Sequence, residues 1–180
     1  MLFAALAAVL GWAAPDTPPD PFDLPLPRPM AVETVRDPIT DDVRVQATLR
    51  DQDRRLTLAC DPHDFEFIRV TFTSNRWLVR GNLITRARPL IYRFDDNRPV
   101  RLLWNVRDRE ARLSGRGRVG DFLQRLINAD ELVIRTRDVE STRILLRFRI
   151  VGGREAVDQL LRACGENELR DRIFNAPPEQ

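Results

Sequence analysis

From Val43 onward the chain alternates apolar and polar residues with a period of two, and no other feature restricts its fold as strongly. Val43, Val45, Ala47 and Leu49 alternate with Arg44, Gln46, Thr48 and Arg50, which on a pleated strand sends the two sets to opposite faces. The pattern recurs in Leu56, Leu58 and Cys60, in Ile68, Val70 and Phe72, and in Val100, Leu102, Trp104 and Val106. It returns in Leu132 with Ile134, and in Ile144, Leu146, Phe148 and Ile150. Turn residues such as Asp51-Gln52-Asp53 and Asp95-Asp96-Asn97 separate these runs. Short strands with one wet face predict a mainly β protein, an antiparallel β-sandwich or barrel of about seven to nine strands.

Two segments leave this period. Between Val119 and Ala129 the apolar residues Phe122, Leu123, Leu126 and Ile127 follow helical spacing, as do Ala156, Val157, Leu160, Leu161 and Cys164. Gly152-Gly153 precedes the second run and Gly165 stands where a helix would stop. Each helix has one apolar face, so two packed helices are expected against the sheet, covering an edge or closing an end.

The chain before the strands reads differently. Leu2 to Leu10 is uncharged and apolar, and Gly11 and Ala13 fit the small-residue pattern that signal peptidase reads. Residues 1–13 are therefore expected to be a signal peptide. Pro15 to Pro29 hold seven of the thirteen prolines, a density that blocks helix and sheet interior and favours extended chain. Residues 14–37 are read as a linker, residues 38–166 as the β-sandwich domain, and residues 167–180 as a flexible tail. No apolar run reaches the roughly 18 residues of a membrane span, so no span remains after signal cleavage and a periplasmic location is expected.

Export bears on sulfur chemistry. Cys60 and Cys164 are the only cysteines, and an even pair in an oxidising compartment is more often bridged than free. Cys60 faces the core side of its strand and Cys164 extends the apolar face of the last helix, so a disulfide would tie that helix to the sheet. The alternative is two buried cysteines acting as small apolar residues.

Little in the sequence points to catalysis. His63, the only histidine, stands in Asp61-Pro62-His63-Asp64, where an aspartate could orient it for general-base work; the plainer reading is a solvated turn. The acid pairs Asp41-Asp42 and Asp95-Asp96 read as turn caps. Gly115-Arg116-Gly117-Arg118-Val119-Gly120 matches a dinucleotide fingerprint in letters, without the strand, helix and distant acid that such a site uses. No enzyme activity, cofactor or metal site is expected.

Charge suggests a surface instead. The chain has 29 basic and 27 acidic residues for a net of +2, far from the concentrated positive field of a nucleic-acid binder. It has no lysine, which is read as coding bias. Arg135, Arg137, Arg147 and Arg149 fall on the polar faces of two strands that could pair, and could together grip carboxylates or phosphates. The plainer reading is a solvated outer face that discourages edge-to-edge association, with Asp138 and Glu140 offsetting the field.

Four pieces occur in a telling order. Asp37-Pro38-Ile39-Thr40-Asp41-Asp42 leads into a strand, and Leu56-Thr57-Leu58-Ala59-Cys60 ends one in cysteine. Tyr92-Arg93-Phe94-Asp95 precedes Trp104, and the Gly152 to Cys164 segment closes the series. Over roughly Asp37 to Cys164 this order resembles the VasI-type accessory proteins of type VI secretion. The resemblance implies a non-catalytic exported accessory or assembly protein with an envelope or secretion-machinery protein as partner. The alternative is a module that binds an anionic envelope ligand through its arginine-rich face.

Overall fold

The computed structural model describes residues 28–51, 53–60, 68–79 and 86–175. The expected signal peptide, residues 14–27 of the expected linker, the His63 turn and residues 176–180 lie outside them. The elements run β1 (Ala31–Arg36), β2 (Val43–Asp51), β3 (Arg54–Cys60), β4 (Ile68–Thr73), β5 (Arg86–Phe94), β6 (Val100–Arg107) and β7 (Glu110–Ser114). Then follow α1 (Arg116–Leu126), β8 (Glu131–Arg137), β9 (Arg143–Arg149), α2 (Gly153–Ala163) and α3 (Asn167–Asn175).

The protein is mainly β, as the alternation implies. All nine strands join one antiparallel sheet in the order β1-β2-β3-β4-β7-β6-β5-β8-β9, so they are not divided between the two sheets of a sandwich. Nor is the sheet a closed barrel among the described residues, because its end strands β1 and β9 share no ladder. It curls instead around its apolar face. Five ladder steps separate β4 from β9, yet Phe72 and Phe148 meet edge to face with centroids 6.5 Å apart. At one corner the Met30 N–H donates to the Val151 carbonyl at 2.8 Å, joining the entrance of β1 to the exit of β9.

Helices fill the curl. Phe122 of α1 enters a cluster with Tyr92, Phe94 and Trp104 at centroid distances of 5.2, 5.1 and 6.0 Å, all edge to face, the geometry aromatic quadrupoles prefer. α2 ends as its glycine implies. Gly165 takes φ 72°, its N–H donates to the Arg162 carbonyl and the Glu166 N–H to the Leu161 carbonyl, the paired bonds of a Schellman stop. Just beyond the helix, Cys164 is bonded to Cys60 at the end of β3, with Cα atoms 6.2 Å apart. That bond ties α2 to the sheet.

Two expected boundaries are corrected. Ala31–Arg36, assigned to the linker, is a strand in full register with β2, from Ala31 opposite Thr48 to Arg36 opposite Val43. It is a largely exposed edge strand, held by backbone bonds, and with only Val32 half-buried against the core its side chains carry almost no burial signal. The tail assigned to 167–180 contains α3, whose Leu169 and Ile173 are 0% and 2% exposed. Leu169 and Ile173, one turn apart, are the two residues α3 buries fully, with Phe174 half-buried against the core, too few for a visible period. Leu169 seats against Gly120 of α1, where an added Cβ would come within 3.1 Å of its side chain. Asp158 of α2 accepts from Arg170 of α3 at 2.6 Å and from Arg162 at 2.9 Å. Burial works against the charge of Asp158, but these guanidinium groups outweigh it and hold the carboxyl below its ordinary range.

Leu169→Ala should therefore cost about 2–5 kcal/mol, the usual range for a buried leucine leaving a cavity, where a frayed tail would give nothing; urea unfolding measures it. Reducing the Cys60–Cys164 bond, which spans 104 residues, should remove about 2–4 kcal/mol, read from unfolding with and without reductant.

Candidate functional site

The outer face of the sheet takes its chemistry from one break in the hydrogen bonding. β5 pairs with β6 from Arg86 to Tyr92, but with β8 only from Ile91 to Phe94. Pro89 sits just before this second ladder begins. Proline has no N–H to donate and belongs on strand edges, and along Arg86–Pro89 the strand is an edge on its β8 side. β8 meanwhile continues with β9 to Arg137 opposite Arg143. The result is a slot of about 460 Å³ between β5 and β8.

Arginine lines it. Arg135 and Arg137 come from β8, Arg143 from β9, Arg101 from β6 and Arg88 from β5, with Pro89 and Ile91 as apolar floor. All but Arg88 are exposed, and Arg88 is half-buried. Among the described residues Arg88, Arg101, Arg135 and Arg143 form no salt bridge, and Arg137 donates to the Ser141 carbonyl at 3.0 Å. Arg137 and Arg143 are direct cross-strand partners, an arrangement that repels. Arg50 and Arg55 are also opposed, at a hairpin end flanked in sequence by Asp51 and Asp53.

The four arginines singled out in the sequence thus lie on one face of paired strands but divide between its ends. Arg135 and Arg137 belong to the slot. Arg147 reaches back to Glu131 at 3.3 Å, and Arg149 lies opposite the same Glu131, so that end carries its own counter-charge. Arg88 and Arg101 gave no signal, because only strand order places β5, and β6 beyond it, next to β8, and Arg143 joins them through the register that sets it opposite Arg137.

The acid that could offset the slot is committed elsewhere. Asp138 is 5% exposed, bonded to Arg76 at 3.2 Å and to the N–H groups of Glu140 and Thr142 at 2.9 and 2.8 Å. Burial raises its carboxyl, but the Thr142 N–H, Arg76 and the Glu140 N–H together hold it below its ordinary range. Glu140 also has a partner.

Other candidate groups serve turns. Asp95 accepts from the N–H groups of Asp130 and Glu131 at 3.0 and 2.8 Å, fixing the start of β8 beside β5. Asp42 accepts from the Thr40 hydroxyl at 2.7 Å, and Asp41 pairs with Arg36 at 3.0 Å. The glycine run is corrected in one respect: a strand, β7, does precede it and a helix, α1, does begin within it, at Arg116. Yet β7 is antiparallel to both neighbours. Gly115 is required by its φ of 93° and Gly120 by Leu169, neither by a pyrophosphate. No cluster of three metal-ligating side chains occurs, and no helix is long and apolar enough to cross a membrane, among the described residues. No family model, curated protein or solved structure matches the chain.

The lowered carboxyl of Asp138 fixes a sign. A group whose folded value lies below its unfolded value of about 3.9 adds stability above that pH and loses it as pH falls through the folded value. Asp138→Asn should therefore melt lower than the parent at neutral pH, with the gap closing below about pH 4, followed by circular dichroism.

Proposed function

We propose that this protein is a non-catalytic, exported binding domain that takes an anionic ligand of the cell envelope in the arginine slot between β5 and β8. One observation carries the reading: among the described residues none of the five slot arginines has a carboxylate partner, and Arg137 faces Arg143 directly across the ladder. Like charges so placed cost stability in the free protein. An anion arriving there relieves the repulsion and gains forked, charge-assisted hydrogen bonds.

Export is supported by the Cys60–Cys164 bond, since structural disulfides persist mainly in oxidising compartments. The order of motifs resembling VasI-type accessory proteins fits a binding role rather than a chemical one. In that setting the slot would be the protein's contact with the envelope, and a secretion-machinery partner would dock elsewhere.

Binding to inorganic polyphosphate, followed by calorimetry at low and moderate salt, should be measurable in the parent and weaken as salt screens the charges. Arg135→Glu with Arg143→Glu should reduce affinity about tenfold or more, while Arg50→Glu with Arg55→Glu should leave it nearly unchanged. Equal losses from the two pairs would mean attraction to net charge alone, and the proposed site would be abandoned.

A further inference from the structure

A second depression opens on the outer face of the same sheet, beside the slot. It encloses about 620 Å³, and its walls include Trp77, Asn105, Arg107, Asp108, Glu110 and Arg112. Trp77 is 46% exposed, although Leu78 and Val79 beside it are 1% and 3% exposed. A large aromatic left in water is informative in a way that a lone exposed leucine is not.

The segment holding Trp77 is fixed at several points. The Ser74 N–H donates to the Arg109 carbonyl at 2.8 Å, and the Leu78 and Val79 N–H groups donate to the Asp108 carbonyl at 2.7 and 3.1 Å. The Val139 N–H donates to the Trp77 carbonyl at 3.0 Å, and Arg76 is bonded to Asp138. Trp77 is thus presented by a rigid frame, which lowers the ordering cost of binding. The Arg109 guanidinium stacks on its ring at 4.8 Å, and that contact further fixes the ring.

The polar walls narrow the ligand. Glu110 and Asp108 accept, Asp108 being paired with Arg107 at 3.8 Å, Arg107 and Arg112 donate, and Asn105 does both. A hydroxyl also does both, so a polyhydroxylated ring is met by partners of each kind, while its C–H face can lie on an indole, whose π surface is electron-rich. An aliphatic or purely anionic ligand would leave one set of walls without partners. Position supplies the last step. Asn105 and Arg101 point outward from the same strand, β6, four residues apart, which is about 13 Å at strand rise. A short chain of sugars bridges that distance.

We propose that the Trp77 depression is a saccharide subsite and that the ligand of this face is an acidic glycan, a sugar ring on Trp77 and its anionic group among the slot arginines. The proposal rests on the anion-binding reading above and adds the chemical class of the ligand.

Three probes separate the possibilities: oligogalacturonate, inorganic polyphosphate and polyglutamate, each titrated into the full chain by calorimetry. Trp77→Ala should weaken oligogalacturonate about tenfold or more, the usual scale for truncating an aromatic anchor, and leave polyphosphate unchanged; Trp77→Phe should recover most of the loss. In the parent, oligogalacturonate should shift the indole emission and polyphosphate should not, a readout independent of how the variant folds. Unchanged oligogalacturonate affinity in Trp77→Ala, with no emission shift in the parent, would overturn the saccharide subsite and leave the arginine slot standing. An equal loss for polyglutamate would overturn it in favour of an acidic protein. Undiminished binding of all three probes to the Arg135→Glu, Arg143→Glu variant would overturn the slot itself.

Discussion

A sheet with one apolar face must hide that face from water, and the architecture of this protein is the answer to that requirement. The buried set Leu56, Leu58, Val70, Phe72, Leu90, Tyr92, Trp104, Ile134, Leu146 and Phe148 comes from six different strands. A flat sheet would leave it wet. Burial of each large side chain contributes on the order of 1.5–3 kcal/mol, and that contribution is lost wherever the face stays open to water. Curling brings β4 across from β9, and helices complete the enclosure where the sheet does not meet itself. Phe122, packed among three aromatic rings, and Leu169, packed on Gly120, are the residues through which the helices enter that enclosure. The disulfide then holds the end of α2 to the end of β3.

Once the inner face is satisfied internally, the outer face is free to carry arrangements that do not favour folding. The slot beside Pro89 is one. There the sheet gives up ladder hydrogen bonds between β5 and β8 and gathers arginines from four strands without matching carboxylates. The exposure of Trp77 on a segment tied down by backbone bonds is another. Both occur within reach of β6 on the same surface, and each departs from what stability alone selects. Departures of this kind are where function is expected to reside.

Carboxylates are used in the opposite way. Asp37, whose carboxyl is held low by the N–H groups of Ile39 and Thr40, closes the turn before β2. Asp95 links the β5–β6 turn to β8, and Asp138 links the β8–β9 turn to Arg76. Asp41, Asp95 and Asp108 also adopt positive φ, a conformation that short polar side chains tolerate better than most. The acids therefore organise loops, and their negative charge is largely spent on backbone N–H groups and nearby guanidinium groups. Positive potential is left on the outer sheet face by that division of labour.

The period-two and helical patterns determined on their own the mainly β class, six of the strands, the two longer helices and the stop at Gly165, because burial on one side of an element leaves a regular mark in the residues. The cysteine pairing was legible for a related reason, since both residues stood on faces already assigned to the core. β1 and α3 left no such mark: β1 is held by backbone bonds with only Val32 half-buried, and α3 fully buries just Leu169 and Ile173. The same limit applied to the site. Arg135 and Arg137 could be placed on a polar face from their own strand, but their company with Arg88 and Arg101 followed from strand order, and the place of Arg143 opposite Arg137, with Arg147 and Arg149 at the other end, from the register of the β8–β9 ladder. Order is set by long-range pairing across turns and helices, a property of which strands meet, and neighbouring residues in a chain carry no record of it.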